Sequence, residues 1–177
     1  MAVLLGKNIS LRALEPEDLD FLFSTENDKT FWEISSTQTP FSRYILKKYI
    51  ENSHQDIYEA KQYRFVICDI KNNPVGMIDL FDFNPQHHRV GLGILLLPKY
   101  RGFGYGTEAI ELVVEYAFTY LNIHQIYVNI TSDNVKSISL FEKFKFKRVG
   151  IKKDWIYSNS TYKDEILFQL IKPKNEN

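Results

Sequence analysis

Residues 93–107 read GILLLPKYRGFGYGT, and this stretch decides the architecture of the chain. An apolar, strand-like run ends at Pro98, alternating glycines follow Arg101, and an amphipathic helix begins at about Thr107. Glycine lets other groups approach the backbone closely, and the free N–H groups and dipole at a helix N-terminus favour negative charge. The order of strand, glycine-rich turn and helix therefore predicts an anion site suited to a pyrophosphate.

Two common phosphate-binding motifs fit this stretch poorly. A P-loop ends in Gly-Lys-Ser/Thr, whereas Gly106 is followed by Thr107 and Glu108. The dinucleotide fingerprint G-x-G-x-x-G opens a parallel βαβ unit, whereas G-x-G-x-G here follows strands that we expect to pair as hairpins. From these residues alone, a purely structural loop stays open as the alternative.

Length and composition indicate one globular domain over residues 1–177, with a disordered tail from Lys172 to Asn177. Lysine plus arginine and aspartate plus glutamate each number 22, so the chain lacks the basic excess of a nucleic-acid-binding protein. No apolar run approaches the roughly 18 residues that a membrane-spanning helix needs. The single cysteine, Cys68, excludes an internal disulfide, and we expect a cytoplasmic protein.

Hydrophobic periodicity and turn residues predict the order of elements. A strand (9–14) and a helix (16–23) precede an irregular segment (24–41), and Ser42 caps a second helix that runs to about Ala60. An antiparallel meander (64–70, 75–83 and 89–97) follows, and then a helix (107–121). The strand after that helix (125–130) is predicted to lie parallel to the strand 89–97. A helix (134–144) and a closing hairpin that ends at Leu170 complete the predicted elements.

Arg101-x-x-Gly104-x-Gly106 resembles the acetyl-CoA pyrophosphate motif of the GCN5-related N-acetyltransferase (GNAT) superfamily, Gln/Arg-x-x-Gly-x-Gly/Ala. The predicted element order resembles the layout of that superfamily over almost the whole chain. The resemblance implies an α/β (α+β) fold: a mixed, mostly antiparallel sheet with a central parallel strand pair splayed for CoA, and helices on both faces.

Within the superfamily the chain is similar to the branch of spermidine/diamine and ribosomal-protein N-terminal acetyltransferases. The matching residues are Leu11-Arg12-Ala13-Leu14-x-Pro16-x-Asp18, Gly76, Asn134-x-x-Ser137, Phe141-Glu142-Lys143 and Tyr162-x-Asp164. This resemblance implies transfer of an acetyl group from acetyl-CoA to a primary amine by direct attack, with no acyl-enzyme and no metal.

The resemblance also implies which residues hold acetyl-CoA. Pantetheine is expected to pair with main-chain groups of the strand before Pro98, and the backbone N–H of Leu95 or Leu96 is expected to meet the acetyl oxygen; we favour Leu96. The implied cofactor ligands are Ile94, Leu95, Leu96, Arg101, Gly102, Phe103, Gly104, Tyr105, Gly106, Thr107 and Asn134. For Asn134, an ordinary helix cap is the alternative.

Three residues depart from the family pattern. Phe141 stands where many relatives have a tyrosine that is the presumed general acid, so Ser137 is the candidate acid, with a water relay or no acid as alternatives. Gly91 lies near the position where spermidine acetyltransferases tend to have a glutamate, and the absence of that glutamate weakens the polyamine assignment. Lys145 replaces a glycine after the helix, and a left-handed cap there costs roughly 1 kcal/mol.

Carboxylates are the candidates for binding or deprotonating the acceptor amine. Glu33 and Asp79 are the predicted substrate-binding residues, and Asp82 is a further candidate. Strand alternation places Asp79 on the face of Met77 and Phe81, with Asp82 on the opposite face. A solvated surface carboxylate is the alternative for each.

Other notable residues favour structural interpretations. His87-His88 is more typical of a surface turn than of a metal pair, because adjacent side chains diverge on an extended segment. Cys68 lies in an apolar strand and is interpreted as a packed thiol. Trp32, Trp155 and Tyr157 suit an acceptor pocket, the core or a homodimer contact equally well.

The acceptor is therefore predicted as a small-molecule amine, polyamine-like or diamine-like, or as a protein N-terminus. An amino-sugar or aminoglycoside acetyltransferase is an alternative. A CoA-binding sensor or scaffold with weak catalysis is another, and Phe141 favours it because a phenyl ring has no proton to give.

Overall fold

The structure is a computed structural model that describes residues 4–173. The strands are β1 (Leu4–Leu5), β2 (Ile9–Arg12), β3 (Tyr63–Asp69), β4 (Pro74–Asn84), β5 (Arg89–Leu96), β6 (Gln125–Thr131), β7 (Lys147–Ser158) and β8 (Thr161–Ile171). The α-helices are α1 (Leu19–Glu26), α2 (Lys29–Ser35), α3 (Arg43–Glu51), α4 (Ile57–Ala60), α5 (Tyr105–Thr119) and α6 (Val135–Lys143).

The strands form one sheet in the order β1-β2-β3-β4-β5-β6-β8-β7. Pairing is antiparallel between β2 and β3, β6 and β8, and β7 and β8, whereas β5 and β6 are parallel. A helical crossover, α5, joins the parallel pair, as parallel strands require. The predicted meander, parallel strand and closing hairpin are therefore confirmed.

Two predicted segments need correction. Residues 24–41 were expected to be irregular, but they contain α2, which begins after Asp28 because the Asp28 carboxylate accepts a hydrogen bond from Thr30 N at 2.9 Å. The predicted single helix from Ser42 to Ala60 is broken. Ser42 does cap α3, but α3 ends at Glu51 and Asp56 caps a separate short helix, α4.

The chain divides into two compact units. The first comprises the described residues up to Asp79 together with Ile94–Leu112, and the second comprises Leu80–Gly93 together with the described residues from Val113 onward. That residues 1–177 act as one domain stays a prediction.

Each unit has its own buried apolar residues. In the first, the α1 and α3 side chains Leu22, Leu46 and Ile50 pack with Met77 of β4. In the second, fully buried residues include Leu80, Val90, Val113, Ala117, Ile126 and Phe168, from β4, β5, α5, β6 and β8. The α5 side chains among them lie on one face of that helix.

The remaining structural predictions concern single positions. Cys68 is buried, as expected of a packed thiol. His88 lies in the β4–β5 turn with a ring nitrogen 3.0 Å from Asn122 O. Lys172, predicted as the first residue of the tail, donates from N to His124 O at 2.8 Å, and residues 174–177 lie outside the described part. Among residues 4–173, no helix is long and apolar enough to cross a membrane.

Candidate functional site: the acetyl-donor and acceptor regions

The turn after β5, residues 101–107, is called the glycine-rich turn below. Gly102 and Gly104 have φ of +83° and +82°, a region that L side chains rarely adopt. A Cβ built at either position meets no described heavy atom within 4 Å. These glycines are therefore required by backbone conformation, and the side of the backbone that a Cβ would cover is open to an approaching group.

The N-terminus of α5 supplies hydrogen-bond donors at the end of this turn. Its first intrahelical bond runs from Glu108 N to Gly104 O at 3.1 Å. The N–H groups of Tyr105, Gly106 and Thr107 precede that bond and have no acceptor among residues 4–173. Free N–H groups at a helix start are a binding surface for anions.

The charges around the turn also suit an anion. Arg101 donates from Nε to Leu96 O at 3.1 Å, and its guanidinium carbon lies 5.8 Å from the centre of the Phe31 ring. Its terminal nitrogens have no partner within the described residues. Glu108, the acidic residue in the first turn of α5, is engaged elsewhere, since it accepts from Asn8 N at 2.8 Å.

The main chain of β5 divides its hydrogen-bonding groups between two edges. Leu97 N donates to Val75 O at 3.0 Å, and a Cβ built on Gly76 would lie 2.3 Å from Leu95 O. Odd-numbered positions thus face β4. Because main-chain groups alternate along a strand, the N–H and C=O of Ile94 and Leu96 face away from β4.

The parallel pairing of β5 with β6 is short. Its register joins Arg89 to Gln125, Val90 to Ile126 and Gly91 to Tyr127, and it ends there. Yet β5 continues to Leu96 and β6 to Thr131. The outer edge of Ile94 and Leu96 therefore has no β6 partner in the described ladder, which leaves it able to pair with an extended ligand.

Four residues on three neighbouring strands form what we call the aromatic–carboxylate group: Phe81, Asp82, Gly91 and Tyr127. The Phe81 and Tyr127 ring centres lie 5.8 Å apart at 85°, and the Tyr127 hydroxyl donates to Asp82 Oδ2 at 3.0 Å. A Cβ on Gly91 would lie 2.4 Å from the Phe81 ring, so the ring covers this glycine. Burial and the Asp82 carboxylate raise the pKa of Tyr127 to about 12, which keeps the hydroxyl protonated as a donor.

The expected alternation along β4 is wrong at Asp82. Strand periodicity predicted that Asp82 and Phe81 lie on opposite faces, but both contact Tyr127. Asp82 has φ of +48°, which interrupts the extended conformation and the period of two. The side chain is exposed and brings a carboxylate beside two aromatic rings, a combination that recognises ammonium groups.

The two predicted substrate-binding carboxylates both lie in the first unit. Asp79 is held by Arg64, whose Nε and Nη2 donate to Oδ1 and Oδ2 at 2.8 and 2.7 Å. Arg64 also pairs with Glu26, so Asp79 belongs to a largely buried ion network. Glu33 lies half-buried on α2. That Glu33 and Asp79 bind the acceptor amine stays a prediction. The bidentate contact with Arg64 gives Asp79 a structural role.

Asn134 and Ser137 lie at the start of α6. Asn134 Oδ1 accepts from Ser137 N at 3.2 Å, so the capping interpretation of Asn134 is confirmed. Its Nδ2 has no partner among residues 4–173. Phe141 is 3% exposed and packs edge-on against Phe146, with ring centres 5.2 Å apart.

The sheet, the glycine-rich turn and the start of α5 together indicate a class of protein. A mixed sheet with one short parallel pair, leading through a glycine-rich turn to free helix N–H groups, is suited to binding a pyrophosphate-bearing cosubstrate. A family model described as "Acetyltransferase (GNAT) domain" matches residues 8–147. The chain belongs to this acetyltransferase family. The predicted fold class and enzyme class, an acetyl-CoA-dependent N-acetyltransferase, are thereby confirmed.

Known proteins of this kind align along nearly the whole chain. Spermidine N(1)-acetyltransferase of Vibrio cholerae serotype O1 is 28% identical over 163 residues, covering 90% of this chain and 91% of the relative. The crystal structure of spermidine N-acetyltransferase from Vibrio cholerae in complex with CoA and spermine gives a TM-score of 0.85 at 26% identity, over 94% of this chain and 96% of that one. A dodecameric structure of that enzyme gives a TM-score of 0.81 at 28% identity, over 97% and 98%.

The aromatic–carboxylate group as a unit escaped prediction from the sequence. Gly91 was recognised as a departure, and Asp82 as a carboxylate, but nothing in the sequence joined them to Tyr127. The covering of Gly91 by Phe81 depends on cross-strand register, and the Asp82 contact depends on a local break in the strand. An aromatic residue one position before an acidic one on a strand was the only available signal.

Proposed function

We propose that this enzyme transfers the acetyl group of acetyl-CoA to a primary amine on a small cationic molecule, by direct attack with both substrates bound. The observation that carries the donor half is the open backbone of the glycine-rich turn beside the first N–H groups of α5, which have no acceptor within residues 4–173. The pyrophosphate lies on the N–H groups of residues 102–107, and the terminal nitrogens of Arg101 neutralise part of its charge.

The pantetheine arm extends the outer edge of β5. The main-chain groups of Ile94 pair with its amides, and the Leu96 N–H donates to the oxygen that gains charge when the amine attacks, while Leu96 O accepts from Arg101 Nε. Leu95 is a weaker choice for the oxyanion donor, because its carbonyl faces β4 at Gly76. In the second unit, the uncommitted Nδ2 of Asn134 is the proposed donor to a pantetheine carbonyl.

The acceptor half rests on the aromatic–carboxylate group. Asp82 binds the ammonium form of the amine and takes the proton that must leave before the nitrogen attacks, while Tyr127 fixes the carboxylate. The nitrogen then forms a bond to the acetyl carbon and gives up a second proton, the carbon–sulfur bond breaks, and the thiolate takes up a proton. Ser137 is the proposed relay of that proton: its hydroxyl gives a proton to sulfur and regains one from the nitrogen, since Phe141 is buried and has none to give.

The acceptor class follows from chemistry and from the relatives. One carboxylate beside aromatic rings suits a small amine with apolar methylenes, such as a polyamine or diamine. The Vibrio cholerae relatives are named spermidine acetyltransferases. A protein N-terminus remains the second candidate from the branch resemblance.

Self-association belongs to the same proposal. Trp155 and Tyr157 on β7 are 58% and 65% exposed, and β7 is an edge strand of the sheet. Exposed aromatic side chains on a sheet edge suit contact with another copy of the chain. Light scattering after size exclusion, on wild type and a Trp155→Ser variant, tests this, and a monomer at all concentrations would contradict it.

Thiol release from acetyl-CoA across a panel of amines tests the proposed reaction. The panel contains spermidine, 1,4-diaminobutane, an amino sugar and a peptide with a free α-amine. We expect turnover with the polyamine or diamine and intersecting initial-rate lines, as direct attack requires, rather than the parallel lines of an acyl-enzyme. Binding of acetyl-CoA without turnover for any amine would favour the sensor alternative, and turnover with the peptide alone would favour an N-terminal acetyltransferase.

A further inference from the structure

Two aromatic rings lie side by side at the glycine-rich turn. Phe103 is 66% exposed, although it lies between Gly102 and Gly104, whose positive φ values fix the course of the loop. Its ring centre lies 5.9 Å from that of Tyr105, with the planes only 29° apart. The two rings therefore form a small stacked platform, with one face of Phe103 turned to solvent.

Anion binding does not explain these rings. The backbone N–H groups and Arg101 supply everything that a pyrophosphate needs, and any residue that tolerates the loop could occupy position 103. The part of the Phe103 ring that stays exposed in the fold is buried only when another group covers it, so its free energy of burial is available to a ligand. A ligand that covers Phe103 must be flat and apolar on its face, because both rings present π-faces rather than polar groups.

We propose that the Phe103–Tyr105 pair is the stacking platform for the adenine base of acetyl-CoA. The inference rests on the proposed donor site, because the base is joined through a ribose to the pyrophosphate that the same loop binds. Once the loop binds the pyrophosphate, only the ribose separates that group from the base, so the base lies close to Phe103. Stacking recognises the face of the purine, and the nearly parallel rings of Phe103 and Tyr105 present such a face.

The proposal is tested by truncating the protein and the cosubstrate together. The substrates are acetyl-CoA and S-acetyl-4′-phosphopantetheine, which lacks the adenosine part, and the proteins are wild type and Phe103→Ala. Because the stacking contact is lost with the ring, we expect the ratio of kcat/KM for acetyl-CoA over the truncated donor to fall about 10-fold in Phe103→Ala. Phe103→Trp should restore the ratio, because indole offers a larger face.

The control is Tyr120→Ala, an exposed aromatic that also stacks on a neighbour, Tyr116, with ring centres 5.7 Å apart. This control should leave the ratio unchanged. An unchanged ratio in Phe103→Ala, or an equal loss with both donors, would overturn the adenine platform while the proposed donor site stands. Failure of wild-type protein to bind acetyl-CoA at all would instead overturn the proposed function.

Discussion

The glycine-rich turn and the aromatic–carboxylate group are built on different principles. The turn offers main-chain N–H groups, and its side chains matter mainly by their absence at Gly102 and Gly104. The aromatic–carboxylate group offers side chains, and its one glycine is covered by the Phe81 ring. A site made of backbone is encoded by a contiguous sequence pattern, whereas a site made of side chains on three strands is encoded by register.

The largest expected effect tests the backbone site. Gly104→Val places a β-branched side chain at φ +82°, on the open side of the glycine-rich turn. Loss of two charge-assisted hydrogen bonds costs about 3 kcal/mol or more, so we expect acetyl-CoA affinity to fall by at least about 100-fold in a calorimetric titration. Gly150→Val is the matched control, because a Cβ there also meets no described atom within 4 Å but lies on β7.

The strain at this position separates folding from binding. A side chain in the left-handed region costs about 1–2 kcal/mol, so Gly104→Val should also lower the melting temperature slightly. Gly104→Ala carries similar strain with less bulk. Wild-type affinity in a folded Gly104 variant would exclude the glycine-rich turn from the donor site.

The next effect concerns proton donation at the start of α6. Ser137→Ala keeps the backbone N–H that Asn134 accepts from, so the cap of α6 survives. If the hydroxyl protonates the leaving thiolate, kcat should fall by about 100-fold, with little change in acetyl-CoA affinity. Ser139→Ala, on the same helix, is the control. An unchanged kcat would remove Ser137 from the mechanism and leave the thiolate to water.

A smaller effect tests the side-chain site. Asp82→Asn keeps the shape but removes the charge that binds the ammonium group, so we expect KM for the amine to rise about 10- to 30-fold. Acetyl-CoA affinity should not change. Asp154→Asn is the control, since Asp154 is also exposed and also has φ of +48°. A rise in KM for acetyl-CoA instead of the amine would move Asp82 to the donor half.

The Tyr127→Phe variant tests whether the Tyr127 hydroxyl positions the Asp82 carboxylate for binding the amine. The phenol pKa of about 12 keeps Tyr127 protonated through neutral pH, so its hydroxyl restrains Asp82 throughout. Removing it should raise KM for the amine less than Asp82→Asn does, because the carboxylate keeps its charge and loses only the hydrogen bond that orients it. An unchanged KM for the amine would reduce Tyr127 to a packing role.

The contrast between the two sites explains what the sequence could predict. The strand, turn and helix around Arg101, Gly104 and Gly106 are contiguous, and their local preferences agree, so the sequence could predict the fold and indicate the proposed donor region. Helix α2 was not predicted because it has only seven residues and shows no clear hydrophobic periodicity. The contact between Asp82 and Tyr127 spans 45 positions and needs a positive φ in a strand, which no period of two can indicate.

The smallest effect concerns a place where local backbone rules and the residue disagree. Helix α6 ends in a Schellman motif: Phe146 N donates to Phe141 O at 3.3 Å, Lys145 N donates to Glu142 O at 2.9 Å, and Lys145 has φ of +63°. The left-handed cap is therefore kept, with lysine where relatives have glycine, and the contact between the rings of Phe141 and Phe146 is its hydrophobic component.

Relieving the strain at Lys145 should stabilise the fold without touching either site. We expect Lys145→Gly to raise the free energy of unfolding by about 1 kcal/mol, since glycine adopts this φ freely and the gain exceeds its extra unfolded-state entropy. Lys143→Gly, within the last turn of α6, should instead lower it by about 1 kcal/mol. Urea denaturation of both variants measures the difference. Equal destabilisation by both would mean that the packing of Phe141 against Phe146 determines this helix end more than backbone conformation does.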